Sequence, residues 1–405
     1  MGSPVEPQLA AHVWIIGLRR ADVEVARQYE RLVAVTLEMA HRGAPNELVA
    51  AEVVRWIEMT DGQNAHRRRE HRLARVELAG THEARPLVTV VVPSHGRPHG
   101  LSALLDALAE QTMSDRWELV VVHTYSRDEA SRLLDAHDLA VAGVLRHIAI
   151  DPQTARPTYQ RNLGWREARG ELIAFTDDDC RPAPDWLGRL VETALEYPGA
   201  IVQGTTRPDP RDRAAYASPH IRTISVEAPG RDTQTCNILY ERALLERIGG
   251  FDERFPAAAG EDIDLALRAQ AAGAVLVGAP DAIVYHAVEA LSLGAKIRHD
   301  RKWASLVFLV KRHPELRLRH CLLGLWWKRE HLGAMLALAG VASAPRRPWG
   351  VLGVWAYWMT ERNRYGGTRA ARRRALREMP AHWLVEMAEI GWFVTGSLRY
   401  RTLVL

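Results

Sequence analysis

Three adjacent carboxylates, Asp177, Asp178 and Asp179, close a short apolar run, ELIAFT, at 171–176. Like charges at that spacing repel one another and lower stability unless a cation or hydrogen-bond donors neutralise them. Hard divalent ions such as Mg²⁺ or Mn²⁺ take carboxylate oxygens and usually share their coordination with substrate phosphates. In an extended segment, alternation puts Asp177 and Asp179 on one side and Asp178 on the other. A second acidic group, Gly260-Glu261-Asp262-Ile263-Asp264, opens a helical pattern that runs to Ala272 and Gly273. Ile263, Ala266 and Leu267 make its buried face, and Asp264 and Arg268, four apart, pair on its exposed face. The helix dipole favours anions at such a start, and a carboxylate there can act as general base toward a hydroxyl. His286 ends another short run, AIVYH, and is a modest candidate for a metal ligand. Each feature alone has an ordinary explanation: a solvated acidic turn, helix capping, a packed histidine. Their combination is what points to chemistry.

A frame for these residues is legible between Pro86 and Thr176. LVTVVVPS (87–94), WELVVVH (117–123), a weaker run at 145–150 and ELIAFT read as strands, because short β-branched runs bounded by Pro, Gly and polar residues favour extended chain. Helical patterns at 101–111, 128–138 and 159–169 separate them. Strands alternating with helices predict a doubly wound α/β sheet, which binds ligands at the carboxyl ends of its strands. The loops after the first, second and fourth strands are therefore where chemistry is expected. Residues 1–84 read as a helical appendage, with amphipathic stretches at 15–40 and 47–59 and a basic segment at 66–75, and no chemistry.

From Val88 to His286 the chain resembles family-2 glycosyltransferases of the GT-A fold. The matching segments, in order, are VTVVVPSHGRP, WELVVVH, the Arg-Asn of YQRNLGWREARGELIAFTDDDCRPAPDWL, the Cys-Asn of QTCNILYERALLERIGGFDERF, GEDIDLALRAQAAG and VYH, with about 80 residues between Asp179 and Glu261. The resemblance covers roughly half the chain. It implies a mostly parallel sheet with helices on both faces, here extended by helical regions at each end. It also implies inverting transfer of a sugar from a nucleotide-diphosphate donor to a hydroxyl of a glycan or lipid-linked acceptor, assisted by Mn²⁺ or Mg²⁺. Asp177 and Asp179 match the acidic metal motif, Asp179 as the direct ligand and Asp177 or Asp178 at the ribose or in support; His286 matches a histidine that completes the metal sphere. Asp262 matches the catalytic base, with Glu261 beside it positioning the acceptor. Pro93, Ser94 and Arg97 match the first nucleotide loop, Arg161 and Asn162 a helix-borne pair near the nucleotide, and Asn237 the acceptor-side loop. Trp186 matches a core position. One departure concerns the donor base. The family usually carries an acidic pair after the second strand, whereas this chain has Val122-His123-Thr124-Tyr125-Ser126. His123 or Thr124 would substitute with different hydrogen bonding, which leaves guanine or thymine open beside uracil.

The chain has 405 residues, 47% hydrophobic and 25% charged, which excludes wholesale disorder and a small disulfide scaffold. Three cysteines without CxxC spacing argue against a cysteine zinc site and fit a reducing compartment. The formal charge of +4 hides an asymmetry: residues 291–405 hold 21 basic and 7 acidic residues, and eight of the 13 tryptophans. Residues 1–290 hold 32 basic and 42 acidic residues. The expected organisation is thus an appendage over 1–84, a catalytic domain over 85–290 and a basic, Trp-rich helical region over 291–405. Tryptophan and arginine around short apolar runs favour an anionic membrane surface as partner, and an Arg-rich helical domain with core tryptophans is the plainer alternative. The apolar stretches at 332–344 and 349–359 are shorter than the roughly 20 residues a spanning helix needs. They fit a hairpin dipping into one leaflet or two core helices. No signal-peptide pattern opens the chain, so the expected location is cytoplasmic, at the inner face of the membrane. No nucleic-acid module is present. The rival readings are a sugar nucleotidyltransferase, for which Ser94-His95-Gly96-Arg97 is too short and glycine-poor a phosphate loop, a catalytically degenerate membrane scaffold, and metal-dependent nucleotide hydrolysis.

Overall fold

The computed structural model describes residues 85–113 and 117–405. The appendage expected over 1–84 lies outside the described residues. Four parallel strands, β1 (Val88–Ser94), β2 (Trp117–His123), β3 (Leu145–Ala149) and β4 (Leu172–Phe175), lie in the order β3-β2-β1-β4. The sheet continues from β4 through β8 (Ile238–Glu241), β6 (Ile201–Pro208) and β9 (Leu276–His286) to β5 (Cys180–Pro182). Pairings β4–β8, β6–β8 and β5–β9 are antiparallel, and β6–β9 is parallel. The doubly wound, mostly parallel sheet expected from the sequence is therefore present. A two-stranded ribbon, β7 (Ile221–Arg222) with β10 (Glu289–Ala290), stands beside it.

The first strand is apolar along its length because both its faces are covered. Val88, Val90 and Val92 pack with Leu101, Leu104, Leu105 and Leu108 of α1 (Pro98–Ala109). Val91 packs in the opposite layer with Trp165 of α2 (Pro157–Glu167) and with Phe175. Strands β1 and β4 are neighbours whose connections leave in opposite directions, so the loops after them flank a crevice at the switch point. Those loops are 95–97 and 176–179. Gly100 lets α1 approach the second loop, since a Cβ there would lie 2.5 Å from the Asp178 carbonyl oxygen.

Residues 84–405 form one compact unit. Its tail comprises α6 (Leu293–His299), α7 (Ala304–Arg312), α8 (Arg329–Ser343), α9 (Val351–Glu361) and α10 (Arg369–Tyr400). Leu306, Val307, Leu309 and Val310 of α7 pack with Phe393 and with Phe255 and Ile263 of the sheet domain. Ile263 belongs to α5 (Glu261–Ala271), which follows Gly260 at a φ of 91° that suits glycine.

This docking corrects one expectation. Asp264 is not on an exposed face: its side chain is fully buried under α7. It accepts hydrogen bonds from Arg268 at 2.8 Å, as its spacing predicts, and from Arg312 and His313 at 2.9 Å each. A helix read in isolation shows no sign of the element that will cover it. Burial pushes the Asp264 carboxyl upward, but His313 and the two guanidinium groups outweigh it and hold the group down at about 2. Stability from this cluster is present above the unfolded carboxyl value near 4 and is lost as pH falls toward 2. Asp264→Asn is expected to cost about 3 kcal/mol, because it leaves buried cations unpaired. Chemical denaturation of the variant, and of the parent across that acid range, measures both effects.

Candidate active site

The loop after β1 grips the acidic loop after β4. Ser94 Oγ donates to Asp178 Oδ2 at 2.8 Å and lies 2.7 Å from the Tyr125 hydroxyl. The His95 amide also donates to Asp178, at 3.3 Å. Arg97 reaches Asp178 at 3.2 Å and Asp179 at 2.7 Å. Burial raises the Asp178 carboxyl to about 6, against the pull of Arg97. Burial also acts to raise Asp179, but His286, Arg97 and Arg222 outweigh it and keep that group below its ordinary value.

Alternation fails at the triplet. Asp178 and Asp179 share Arg97, while Asp177 turns the other way and pairs with Arg161 at 2.7 Å. The strand ends at Phe175 and the chain turns at Asp178 and Asp179, so a two-residue period no longer applies. Among the described residues, Asp179, Cys180 and His286 have ligating atoms within 4.8 Å of one another, and Asp177 is outside that group. The register of β5 on β9 sets Cys180 opposite His286 and so brings Asp179 to it.

This trio fits a hard divalent cation in part. His286 Nδ1 lies 2.9 Å from the Ala287 carbonyl, which only accepts, so the neutral ring carries its proton there. Its Nε2 then offers a lone pair 3.5 Å from Asp179 Oδ1. Burial holds the Cys180 thiol well above its usual range, and a protonated sulfur is no ligand for Mg²⁺ or Mn²⁺. Asp179 and His286 are the residues that fit.

Arg161 joins the two acidic motifs. It is buried on α2, bonded to Asp177 and, at 3.2 Å, to Glu261 at the start of α5, 100 residues later. Glu261 Oε2 is buried and has no hydrogen-bond partner among the described residues. Burial raises the Glu261 carboxyl, with Arg161 opposing. Asp262 keeps a partly exposed edge, yet the protein around its carboxyl desolvates it, and burial together with the Glu261 charge pushes it well up. Through Arg161 the acidic loop at 177–179 and the helix start at Glu261 are thus tied together.

Cations that no sequence pattern indicated complete the site. Arg222 on β7 bonds Asp179 and pairs with Glu289 at 2.9 Å. Lys302, in the turn before α7, has no ion pair among the described residues. Burial and the Arg222 charge lower it, while Asp300 and Glu261 oppose that shift. His299 is pushed down to about 3 by burial and by Lys302, Arg222 and other cations around it. The one available signal for Lys302 was compositional: the chain has 4 lysines against 49 arginines.

Three expected site residues do other work. His123 is buried, with Nε2 3.0 Å from His147 and Nδ1 accepting from the Tyr125 amide, and burial holds it down at about 4. Thr124 is only half-buried and touches exposed His95 at 2.8 Å. Asn162 clamps Phe251 through both its backbone N–H and its carbonyl, and also binds Glu253 and Trp165. Asn237 is buried, accepting from Trp186 Nε1 and donating to the carbonyls of Thr205 and Ala282. Trp186 is core, as expected, and Pro93 is buried at the end of β1.

Carboxylates and cations thus gather at the switch point of an α/β sheet, where such folds bind their ligands. Residues 89–249 match the model of glycosyl transferase family 2, and residues 172–360 match that of glycosyl transferase family group 2. The chain is 26% identical over 207 residues to glycosyltransferase AglE of Haloferax volcanii, covering 50% of this chain and 67% of that protein. It is 29% identical over 234 residues to O-antigen biosynthesis protein RfbC of Myxococcus xanthus, covering 50% of this chain and only 17% of that protein. The mannosyltransferase PcManGT from Pyrobaculum calidifontis, in complex with GDP-Man and Mn²⁺, aligns with a TM-score of 0.48 and 21% identity over 78% of this chain and 88% of that one.

Proposed function

We propose that this protein is an inverting glycosyltransferase that moves a sugar from a nucleotide-diphosphate donor to a hydroxyl of a glycan or lipid-linked acceptor. The observation that carries this reading is the Arg161 bridge between Asp177 and Glu261, which ties the two acidic motifs together. In the reaction, Asp262 takes the proton of the acceptor hydroxyl, and the hydroxyl oxygen bonds the anomeric carbon. The bond to the diphosphate breaks on the opposite face, and the nucleoside diphosphate leaves with its electron pair. The unpartnered Glu261 Oε2 is free to accept from the acceptor and orient it. Asp179 and His286 would hold Mn²⁺ or Mg²⁺, which when bound neutralises charge on the diphosphate. Arg97, Arg222 and Lys302 add fixed positive charge where the leaving group becomes more negative. Thr124 and His95, at the rim beyond β2, are the polar groups available to the nucleobase in place of buried His123. The name of RfbC is in keeping with an envelope glycan as acceptor.

Thermal unfolding with UDP, GDP or dTDP, each with and without Mn²⁺, tests the donor site. One nucleotide should raise Tm in a Mn²⁺-dependent way, since ligand at about 100 times its Kd adds about 2.7 kcal/mol to the folded state. If none of them stabilises the protein in either condition, the donor reading fails.

A further inference from the structure

The two apolar stretches of the tail form a hairpin, α8 and α9, closed by a turn at 344–350. The helices meet through small residues. A Cβ on Gly340 would lie 2.2 Å from the Gly350 carbonyl oxygen, and one on Gly353 would lie 2.1 Å from that of Leu336. Ala334 and Ala337 are also buried on this side of α8. Close packing through glycine and alanine is how helices associate in lipid, where large apolar groups gain nothing by hiding from their surroundings.

Several large side chains consequently stand outside the hairpin, while Tyr357 is buried with Ala334 and Ala337. Val341 is 62% exposed, Trp349 61%, Val351 61%, Leu352 60% and Trp355 56%. On α9 the exposed positions 351, 352 and 355 fall on one face. Residues 331–360 contain no Asp, Glu or Lys; their fixed charges are Arg346 and Arg347, both exposed in the turn. The Arg347 guanidinium lies 5.7 Å from the Trp349 ring. Arg369, Arg372, Arg373 and Arg377 are exposed on the first half of α10. Such a concentration of exposed apolar side chains marks an interaction surface.

We propose that the α8–α9 hairpin docks on an anionic phospholipid membrane, lying in the headgroup interface. Among the described residues no helix is long and apolar enough to cross a bilayer. Entry tip-first would carry Arg346 and Arg347 into hydrocarbon, which is costly. Lying flat lets both arginines reach lipid phosphates while Trp349, Leu352 and Trp355 enter the acyl boundary. Tryptophan prefers that depth. A second copy of the chain fits the face less well, because a two-fold contact would set Arg346 and Arg347 near their own images. Docking does not depend on the donor chemistry. Only its use, delivering the crevice to a lipid-linked acceptor, rests on the reading above.

Co-sedimentation of the full chain with phosphatidylcholine vesicles, with and without phosphatidylglycerol, tests this. Binding should require the anionic lipid and weaken with salt. Leu352→Asp with Trp355→Asp should lower partitioning at least about tenfold. Arg346→Gln and Arg347→Gln should lower it about fivefold each and flatten the salt dependence. All four side chains are exposed, so Tm and nucleotide-diphosphate binding should stay as in the parent. These readouts separate failure of the hairpin from failure of the crevice. Equal partitioning of the Asp variants would overturn the proposal. So would a chain that ignores vesicles but dimerises in a way that Leu352→Asp abolishes, which assigns the face to a second copy.

Discussion

Asp262→Asn is expected to lower kcat by roughly 10²–10⁴-fold, the usual contribution of a general base, while donor affinity holds. The amide keeps the size and polarity of the side chain but cannot take a proton. Among the described residues Asp262 shares no hydrogen-bond or ion-pair partner with Asp179, so the donor side should not register its loss. Burial and the Glu261 charge raise its carboxyl well above the ordinary value. A raised carboxyl is protonated across more of the acid range. The parent's kcat/KM should therefore fall, as pH drops, at a higher pH than an ordinary aspartate would give, and the residual activity of the variant should lack that limb. Glu261→Gln is the informative partner. Glu261 Oε1 is held by Arg161, so that variant should act mainly on acceptor KM. Loss of donor binding equal to the loss of rate in Asp262→Asn would remove Asp262 from the role of base.

Asp179→Ala should abolish the Mn²⁺-dependent part of nucleotide-diphosphate affinity. Asp179 is the carboxylate on which Arg97, Arg222 and His286 converge. Without it, a divalent cation would meet positive groups and a lone imidazole. Calorimetric titration with the nucleotide that stabilises the parent provides the measurement. Chelation should weaken binding and stop transfer in the parent, and add nothing in the variant, because both remove the same interaction. Asp179→Asn guards against a folding defect, since it keeps hydrogen-bonding capacity for both arginines. Identical nucleotide affinity with and without metal in the parent would contradict the assignment.

The two acidic motifs, the strands that end at them and the helix that begins at Glu261 were legible in the sequence because their signals are local. A β-branched run such as VTVVVPS has one preferred conformation, and Gly260 before three carboxylates reads as a helix start. The predicted and observed limits of β2 coincide. From its own stretch of sequence His286 was legible as a metal candidate at a strand end; its meeting with Asp179 depends on the antiparallel register of β5 on β9. His123 illustrates the opposite failure. It occupies the position where a base-reading group was expected, yet it turns inward to His147 on the neighbouring strand. A strand residue's exposure depends on what its neighbours present, and that information lies 24 residues away.

By itself, the sequence determined the alternation of strands and helices, the doubly wound sheet, the place of the acidic loops at strand ends, and the apolar stretches of the tail. Periodicity, turn chemistry and helix capping act over a few residues, so they survive without a fold. Only the tertiary structure decided that Asp177 and Asp179 part company, that Arg161 ties one motif to the other, that Asp264 is buried under α7, that Arg222 and Lys302 join the crevice, and that glycine packing turns the tryptophans of the hairpin outward. These are questions of burial and of charge at close range. Both depend on segments that meet only when the chain is folded, and no local pattern encodes which ones will.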